Sequence, residues 1–185
     1  NKYLNDLYEI RQMMRKSTLF LSLSGLSGVL AGVYALIGAA GVYMLLEHHY
    51  IYYPYVLIES RTFKAIMAIA LAVLVASLVT AYLFSARKAK RNGESLVNAT
   101  AKRALYNFAI PLLTGGLLSV LLIKNGYYGL LAPMTLIFYG LACVNVSKYT
   151  FGDVHYLGIT EIILGLLAVY FPGYGLLFWT LGFGV

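Results

Sequence analysis

Residues 65–84 read AIMAIALAVLVASLVTAYLF, a run of twenty residues without a charge. A helix needs about 20 predominantly apolar residues to cross the hydrocarbon core of a bilayer. Lys64 lies just before the run, and a group of basic residues begins after it at Arg87. This stretch therefore predicts a transmembrane helix, the second of the chain, over residues 63–84.

The rest of the chain has the same apolar character. Of its 185 residues, 61% are apolar and 11% are charged, whereas soluble domains average about 45–50% and about 25%. A soluble chain of this size could not bury so much apolar surface, but a bilayer solvates it. The sequence therefore predicts one transmembrane domain over residues 1–185, an all-α polytopic helix bundle with about six spanning helices.

Charges and turn signals divide the chain into segments. Residues 1–17 repeat apolar side chains at helical spacing, which predicts an amphipathic helix in the cytoplasm or at the membrane interface. Spans are predicted near residues 18–46, 63–84, 104–123, 127–146, 154–171 and 174–185. Because the chain begins at Asn1 and stops at Val185 within an apolar segment, we expect it to be part of a longer one.

The basic residues indicate the orientation of these spans. The net charge is +7, and 11 of the 14 Lys and Arg residues fall on one side if the N-terminus is inside. Only Arg61, Lys64 and Lys124 then lie outside. Since cytoplasmic loops are enriched in Lys and Arg, we predict a multi-pass inner (plasma) membrane protein with a cytoplasmic N-terminus. Because the charges flank apolar runs, they argue against nucleic-acid binding.

Small residues form a stripe along the first span. Gly25, Gly28, Gly32, Ala35 and Ala39 are spaced three and four residues apart, so they share one helical face. In lipid, small residues let two helix backbones approach closely, because packing rather than hydrophobicity drives helix association there. We expect the partner to be another helix of this chain, with a second copy of the protein as the alternative.

The segment that carries this stripe, SLSGLSGVLAGVYALIGA at residues 22–39, resembles uncharacterised multi-pass bacterial integral membrane proteins of similar length. The resemblance covers much of the chain but rests on membrane-type sequence. It implies a membrane location and transfers no activity.

Two pairs of spans also resemble each other. GLLSV at residues 116–120 resembles GLLAV at 165–169, and GLL recurs after the next turn at 129–131 and 175–177. Asn-Gly and Pro-Gly pairs predict the turns between them. The similarity predicts that spans three-four and five-six are a tandem hairpin repeat, with coincidence in Leu- and Gly-rich sequence as the alternative.

Glu161 is the acidic residue predicted deepest in the membrane. It lies about 10 Å past the start of the fifth span at 1.5 Å per residue, where a charge is costly and faces the bundle interior or a wet cavity. Gly158 and Gly165 share its helical face, so a neighbouring helix can come close to the carboxyl. Loss of water disfavours the charged form of a carboxyl, which suits a proton or cation site. The alternative is a structural carboxyl.

A polar intramembrane site would need partners for Glu161. The candidates are Asn107 and Thr114, which share a face of the third span, and Asn145 on the fourth. Each of them is also suited to an ordinary hydrogen bond between helices.

Signals for catalysis or cofactor binding are weak. Cys143 is the only cysteine, which excludes a disulfide within the chain. His48 and His49 would point about 100° apart on a helix, so one surface cannot easily use both. We find no zinc-type spacing, no paired carboxylates in one segment and no phosphate-binding glycine loop. The sequence therefore predicts no metal, no cofactor and no catalytic residue.

Basic residues concentrate on both sides of the predicted turn at Asn92-Gly93. Such a group beside an anionic inner leaflet indicates either topological anchoring or a site for anionic lipid or an acidic partner. Its members are Arg87, Lys88, Lys90, Arg91, Lys102 and Arg103.

These features leave two hypotheses for function. Small-residue packing, few buried polar groups and a basic cytoplasmic face favour a non-catalytic accessory, scaffold or regulatory subunit, with a protein partner or a homo-oligomer. The alternative is a small transporter or channel for protons, cations or a small solute. It would use Glu161 and backbone carbonyls freed by Pro111 and Pro133.

Overall fold

The computed structural model of the chain describes residues 25–47, 60–91, 99–150 and 152–185. Throughout these residues the regular structure is helical, which confirms the predicted all-α bundle. The amphipathic helix predicted over residues 1–17 lies outside the described residues. The helices are α1 (Gly25–Glu47), α2 (Ser60–Arg91), α3 (Ala99–Lys124), α4 (Leu131–Val146), α5 (Asp153–Tyr170) and α6 (Gly175–Gly184).

Five of these helices are long and apolar enough to cross a membrane, so the chain is a multi-pass membrane protein. The fourth of them is α4 together with the short 3-10 turns at Tyr128–Leu130 and Ser147–Tyr149. The sixth helix, α6, consists of the 10 residues Gly175–Gly184, which is about 15 Å of helix.

The helix α2 is longer than a membrane requires. Its 32 residues end at Arg91, seven residues past the end that the apolar run predicted. At 1.5 Å per residue it is about 48 Å long, against about 30 Å for the hydrocarbon core. Its last turn carries Lys88, Lys90 and Arg91 and therefore reaches beyond the core at one end.

Neighbouring helices pack in two groups that α6 connects. The first group is the antiparallel pair α1 and α2, in which the Tyr34 hydroxyl lies 3.3 Å from the Thr80 Oγ1. In the second group α4 packs against both α3 and α5, and its interface with α5 is the most extensive of the described bundle. Helix α6 contacts α4 and α5 on one side and α1 on the other.

The interface between α4 and α5 depends on glycine. A Cβ atom on Gly140 would lie 2.6 Å from the Gly158 carbonyl oxygen, and one on Gly158 would lie 2.7 Å from that of Gly140. About two turns further along α5, a Cβ on Gly165 would lie 3.0 Å from the Pro133 carbonyl oxygen. The two backbones are therefore in direct contact, at a separation that only glycine permits.

The two hairpins of the predicted repeat turn in the same way but pack differently. Gly126 has φ of +79° and Gly173 has φ of +98°, a conformation that glycine adopts without steric cost. However, Gly116 has nothing within 4 Å of the position of a Cβ, whereas its counterpart Gly165 contacts α4. The repeat itself stays a prediction.

The two prolines expected to interrupt helices occupy different positions. Pro111 is buried inside α3, which continues on both sides of it. Pro133 is the third residue of α4. Since backbone N–H groups of a first turn have no partner within the helix, Pro133 removes no helical hydrogen bond.

Replacing Gly158 by Ala should destabilise the bundle by about 1–3 kcal/mol, the usual cost of overpacking a filled interior. The new methyl would press on the backbone of α4, which cannot rotate out of the way. The matched control is Gly116→Ala, where a Cβ meets open space and the better helix propensity of Ala adds up to about 1 kcal/mol of stability. Reversible unfolding in mixed detergent measures both, and equal stability of the two variants would contradict the packing.

Candidate functional site

The centre of the bundle contains a buried acid. Glu161 lies eight residues into α5, about 12 Å from its first residue, Asp153. Its side chain is only 1% exposed, and the residues around it are mainly apolar. Among the charged side chains that the structure describes in the helices, Glu161 is the one buried in the core.

Two neighbours pack directly against the carboxyl and close it off from solvent. A Cβ atom on Gly182 of α6 would lie 2.5 Å from the Glu161 Oε2 and 2.6 Å from Cδ2 of Leu136 on α4. Leu136 is itself fully buried. The backbone of α6 therefore covers the carboxyl directly, because residue 182 has no side chain.

Two weakly polar groups of α4 lie beside the carboxyl. The Tyr139 hydroxyl and the Cys143 thiol lie close enough to interact electrostatically with each other and with Glu161. The Tyr139 ring also packs against Phe183 of α6 and Phe108 of α3, at centroid distances of 4.9 Å and 6.1 Å. Even so, neither carboxyl oxygen of Glu161 has a hydrogen-bond partner among the residues that the structure describes.

The structure does not bring the predicted polar partners to Glu161. Asn107 donates to the Arg103 carbonyl at 2.9 Å, and Thr114 donates to the Ile110 carbonyl at 2.8 Å. Both bonds lie within α3. Asn145 is exposed on α4. Gly158 and Gly165, in contrast, lie on the Glu161 face of α5 and contact α4.

Sequence reasoning missed Leu136, Tyr139, Cys143 and Gly182 as neighbours of the carboxyl. The first three recur at i, i+3 and i+7 on α4, the spacing of one helical face. That spacing could have placed them together, but nothing in the sequence indicates which helix they meet. Gly182 carried no signal, because glycines are frequent in every span.

The glycine stripe of α1 packs against another helix along only part of its length. A Cβ on Gly32 would lie 3.3 Å from the Gly184 carbonyl oxygen of α6, so this part packs within the chain. Gly25 and Gly28 have nothing within 4 Å of the same position. An open cleft of about 390 Å³ lies further along, where Gly38 and Gly41 of α1 face Ile69 and Val73 of α2. It is apolar and does not involve Glu161.

The basic residues lie at the end of α2 and the start of α3. Arg87, Lys90 and Arg91 are exposed, and the Arg87 guanidinium lies 6.0 Å from the centre of the Phe84 ring. Lys102 and Arg103 are exposed near the first turn of α3. The residues of the predicted turn between the two helices, 92–98, are outside the described range.

Side chains suited to a metal do not converge in the described part of the chain. No group of three or more His, Cys, Asp or Glu residues occurs there. His48 and His49 lie outside it.

Fold and site together define an α-helical multi-pass membrane protein with a buried acid at the junction of three helices. No protein-family profile matches the chain, and no curated protein or solved structure matches it either.

Replacing Glu161 by Met should stabilise the bundle by about 1–3 kcal/mol, since that is the cost of burying a polar group without a partner. Methionine has a similar volume and no strong polar atom. The control on the same helix is Thr160→Val: Thr160 is exposed, and its hydroxyl donates to the Tyr156 carbonyl at 3.0 Å, so we expect a change close to zero. Reversible unfolding measures the free energy of unfolding of both variants. A clear loss of stability in the Met variant would show that the carboxyl accepts a hydrogen bond from a donor in the bundle.

Proposed function

We propose that this protein is a non-catalytic accessory, scaffold or regulatory subunit of the inner (plasma) membrane, with its N-terminus in the cytoplasm. The orientation follows from the distribution of Lys and Arg, of which 11 of 14 fall on the cytoplasmic side. In this arrangement the ends of α2 and α3 that carry the basic residues are cytoplasmic.

One observation carries the proposal: several polar side chains within the described helices donate to the backbone of their own helix. Ser and Thr hydroxyls of this kind donate their single proton to a carbonyl one turn earlier, so they can offer a solute only acceptor lone pairs. The side chains are those of Thr80, Asn107, Thr114, Ser119, Thr160 and Thr180. A bundle whose closest helix contacts are made by glycines, and whose Ser and Thr hydroxyls of this kind donate within their own helices, suits a structural role.

The surface of α2 supports an interaction role. This helix packs extensively against α1 alone among the described helices, and its most apolar stretch is fully outside the core. Its exposed basic end lies where an anionic leaflet or an acidic partner would meet it. Each basic residue there contributes about 1 kcal/mol to such binding at low salt.

The experiment is purification of the full chain in mild detergent, with native mass spectrometry of the product. We expect a fixed-stoichiometry complex, either a homo-oligomer or one with a second membrane protein, that retains anionic lipid. Replacing Arg87, Lys88, Lys90 and Arg91 by Gln should remove the lipid or the partner without changing the orientation.

The matched control is the pair Arg61→Gln and Lys64→Gln at the opposite end of α2, which should leave the complex intact. A monomer that transports a solute in liposomes would overturn the proposal. If the four-residue variant changes only yield or orientation, the basic residues serve as topological anchors.

A second candidate is transport of protons, cations or a small solute through Glu161. The observation that favours it is the carboxyl itself, which is buried without a hydrogen bond. Transport would require α6 to move, since Gly182 covers the carboxyl in this structure. Flux into liposomes should then be lost in Glu161→Gln and retained in Thr160→Val; equal flux in both variants would remove Glu161 from the pathway.

A further inference from the structure

No described cation faces the Glu161 carboxyl. The ionisable groups that face it from α4 are Tyr139 and Cys143, neither of which is positively charged at neutral pH. The sequence of α6, GLLFWTLGFG, has no ionisable side chain. On α5 itself, the residues one turn away on the same face are Gly158 and Gly165.

This environment can hold a neutral acid but not a carboxylate. Removing an ion from water without a counter-charge or hydrogen bonds is far more costly than removing a neutral polar group. Inside a membrane, side chains in this position either pair with another group or become neutral. Since the described helices supply no partner, Glu161 fits among them only in the neutral form.

We propose that Glu161 is a proton-binding site, which holds its proton while α6 packs against α5 and releases it to water when α6 moves away. The ligand is a single proton, and the acceptor is a water molecule that enters beside the carboxyl. The carboxylate that remains is then hydrated instead of being buried. This proposal is independent of the scaffold role, and it would hold equally for a transporter.

The geometry of α6 makes this helix the movable element. Its Gly182 contacts the carboxyl, and a turn with φ of +98° at Gly173 joins it to α5. Helices α4 and α5, in contrast, interlock through reciprocal glycine contacts. Opening a path to the carboxyl on the α6 side therefore disturbs fewer contacts.

Proton binding and α6 packing are linked in a fixed direction. The packed state holds one proton more than the state with α6 displaced, so packing is favoured at low pH and weakened as pH rises. In the pH range in which the displaced state is ionised and the packed state is still protonated, each pH unit shifts the balance towards displacement by about tenfold.

The first measurement is the infrared carbonyl band of a protonated carboxylic acid in the full chain, reconstituted in lipid vesicles. The wild type should show this band at neutral pH, with its small shift in heavy water, and Glu161→Gln should lack it. If the two proteins have identical bands at neutral pH, Glu161 is ionised in the packed state and the proposal is wrong.

The second measurement follows α6 through Trp179, the single tryptophan of the chain, whose ring lies 4.9 Å from that of Phe183. Its fluorescence should change with rising pH in the wild type together with loss of the infrared band. Glu161→Gln cannot lose a proton and retains Tyr139, so it should show no such transition. The same transition in Glu161→Gln, or none in the wild type while the band disappears, would overturn the coupling.

A pair of alanine variants on α6 tests the contact itself. Gly182→Ala would push α6 away from the carboxyl and admit water, so the midpoint of the infrared band should move to lower pH by about one unit or more, a tenfold change in proton affinity. In the control, Gly175→Ala, the new Cβ would lie at an ordinary 3.4 Å from the Ala132 Cβ, and the midpoint should not move. Equal midpoints in the two variants would refute the role of α6. Should Gly182→Ala fail to fold, the comparison of Glu161→Gln with the wild type still decides the proposal.

Discussion

The rest of this structure depends on the close approach of α4 and α5 at Gly140 and Gly158. In a bilayer, lipid tails are as apolar as leucine, so helices gain little from burying apolar side chains against each other. Association then depends on the closeness of backbones. The reciprocal contact of the two glycines with each other's carbonyl oxygens gives that closeness, and it fixes which face of α5 points inward.

The position of Glu161 follows from this contact. Because the carboxyl shares a face with Gly158 and Gly165, any packing that brings these glycines against α4 also buries the acid. Helix α6 then closes the remaining side through Gly182. The result is a carboxyl in dry, apolar surroundings beside a weakly polar pair, Tyr139 and Cys143. Because burying an ionised carboxyl in such surroundings is costly, the stability of the α6 contact depends on whether Glu161 is protonated.

Much of the architecture could be predicted from the sequence, since the bilayer imposes length and hydropathy on each span separately. Apolar runs and turn residues placed the described ends of most spans within a few residues of those observed. The end of α2 was less predictable, because helix formation continues past the apolar run into residues up to Arg91. The depth of Glu161 and the glycines on its face were also readable from spacing along a single helix.

The sequence by itself therefore determined the properties that depend on one helix at a time. These are the existence of the helix, its approximate ends, and which of its faces carry polar or small residues. Only the tertiary structure decided which faces meet. It placed Gly182 rather than Asn107 or Thr114 against the carboxyl, and it used Gly32 of the α1 stripe while leaving Gly25 and Gly28 without a neighbour within 4 Å. The physical reason is that a polar side chain in a span can hydrogen-bond to a carbonyl of its own helix, and a glycine can pack against any helix. Neither residue type therefore specifies which helix it meets.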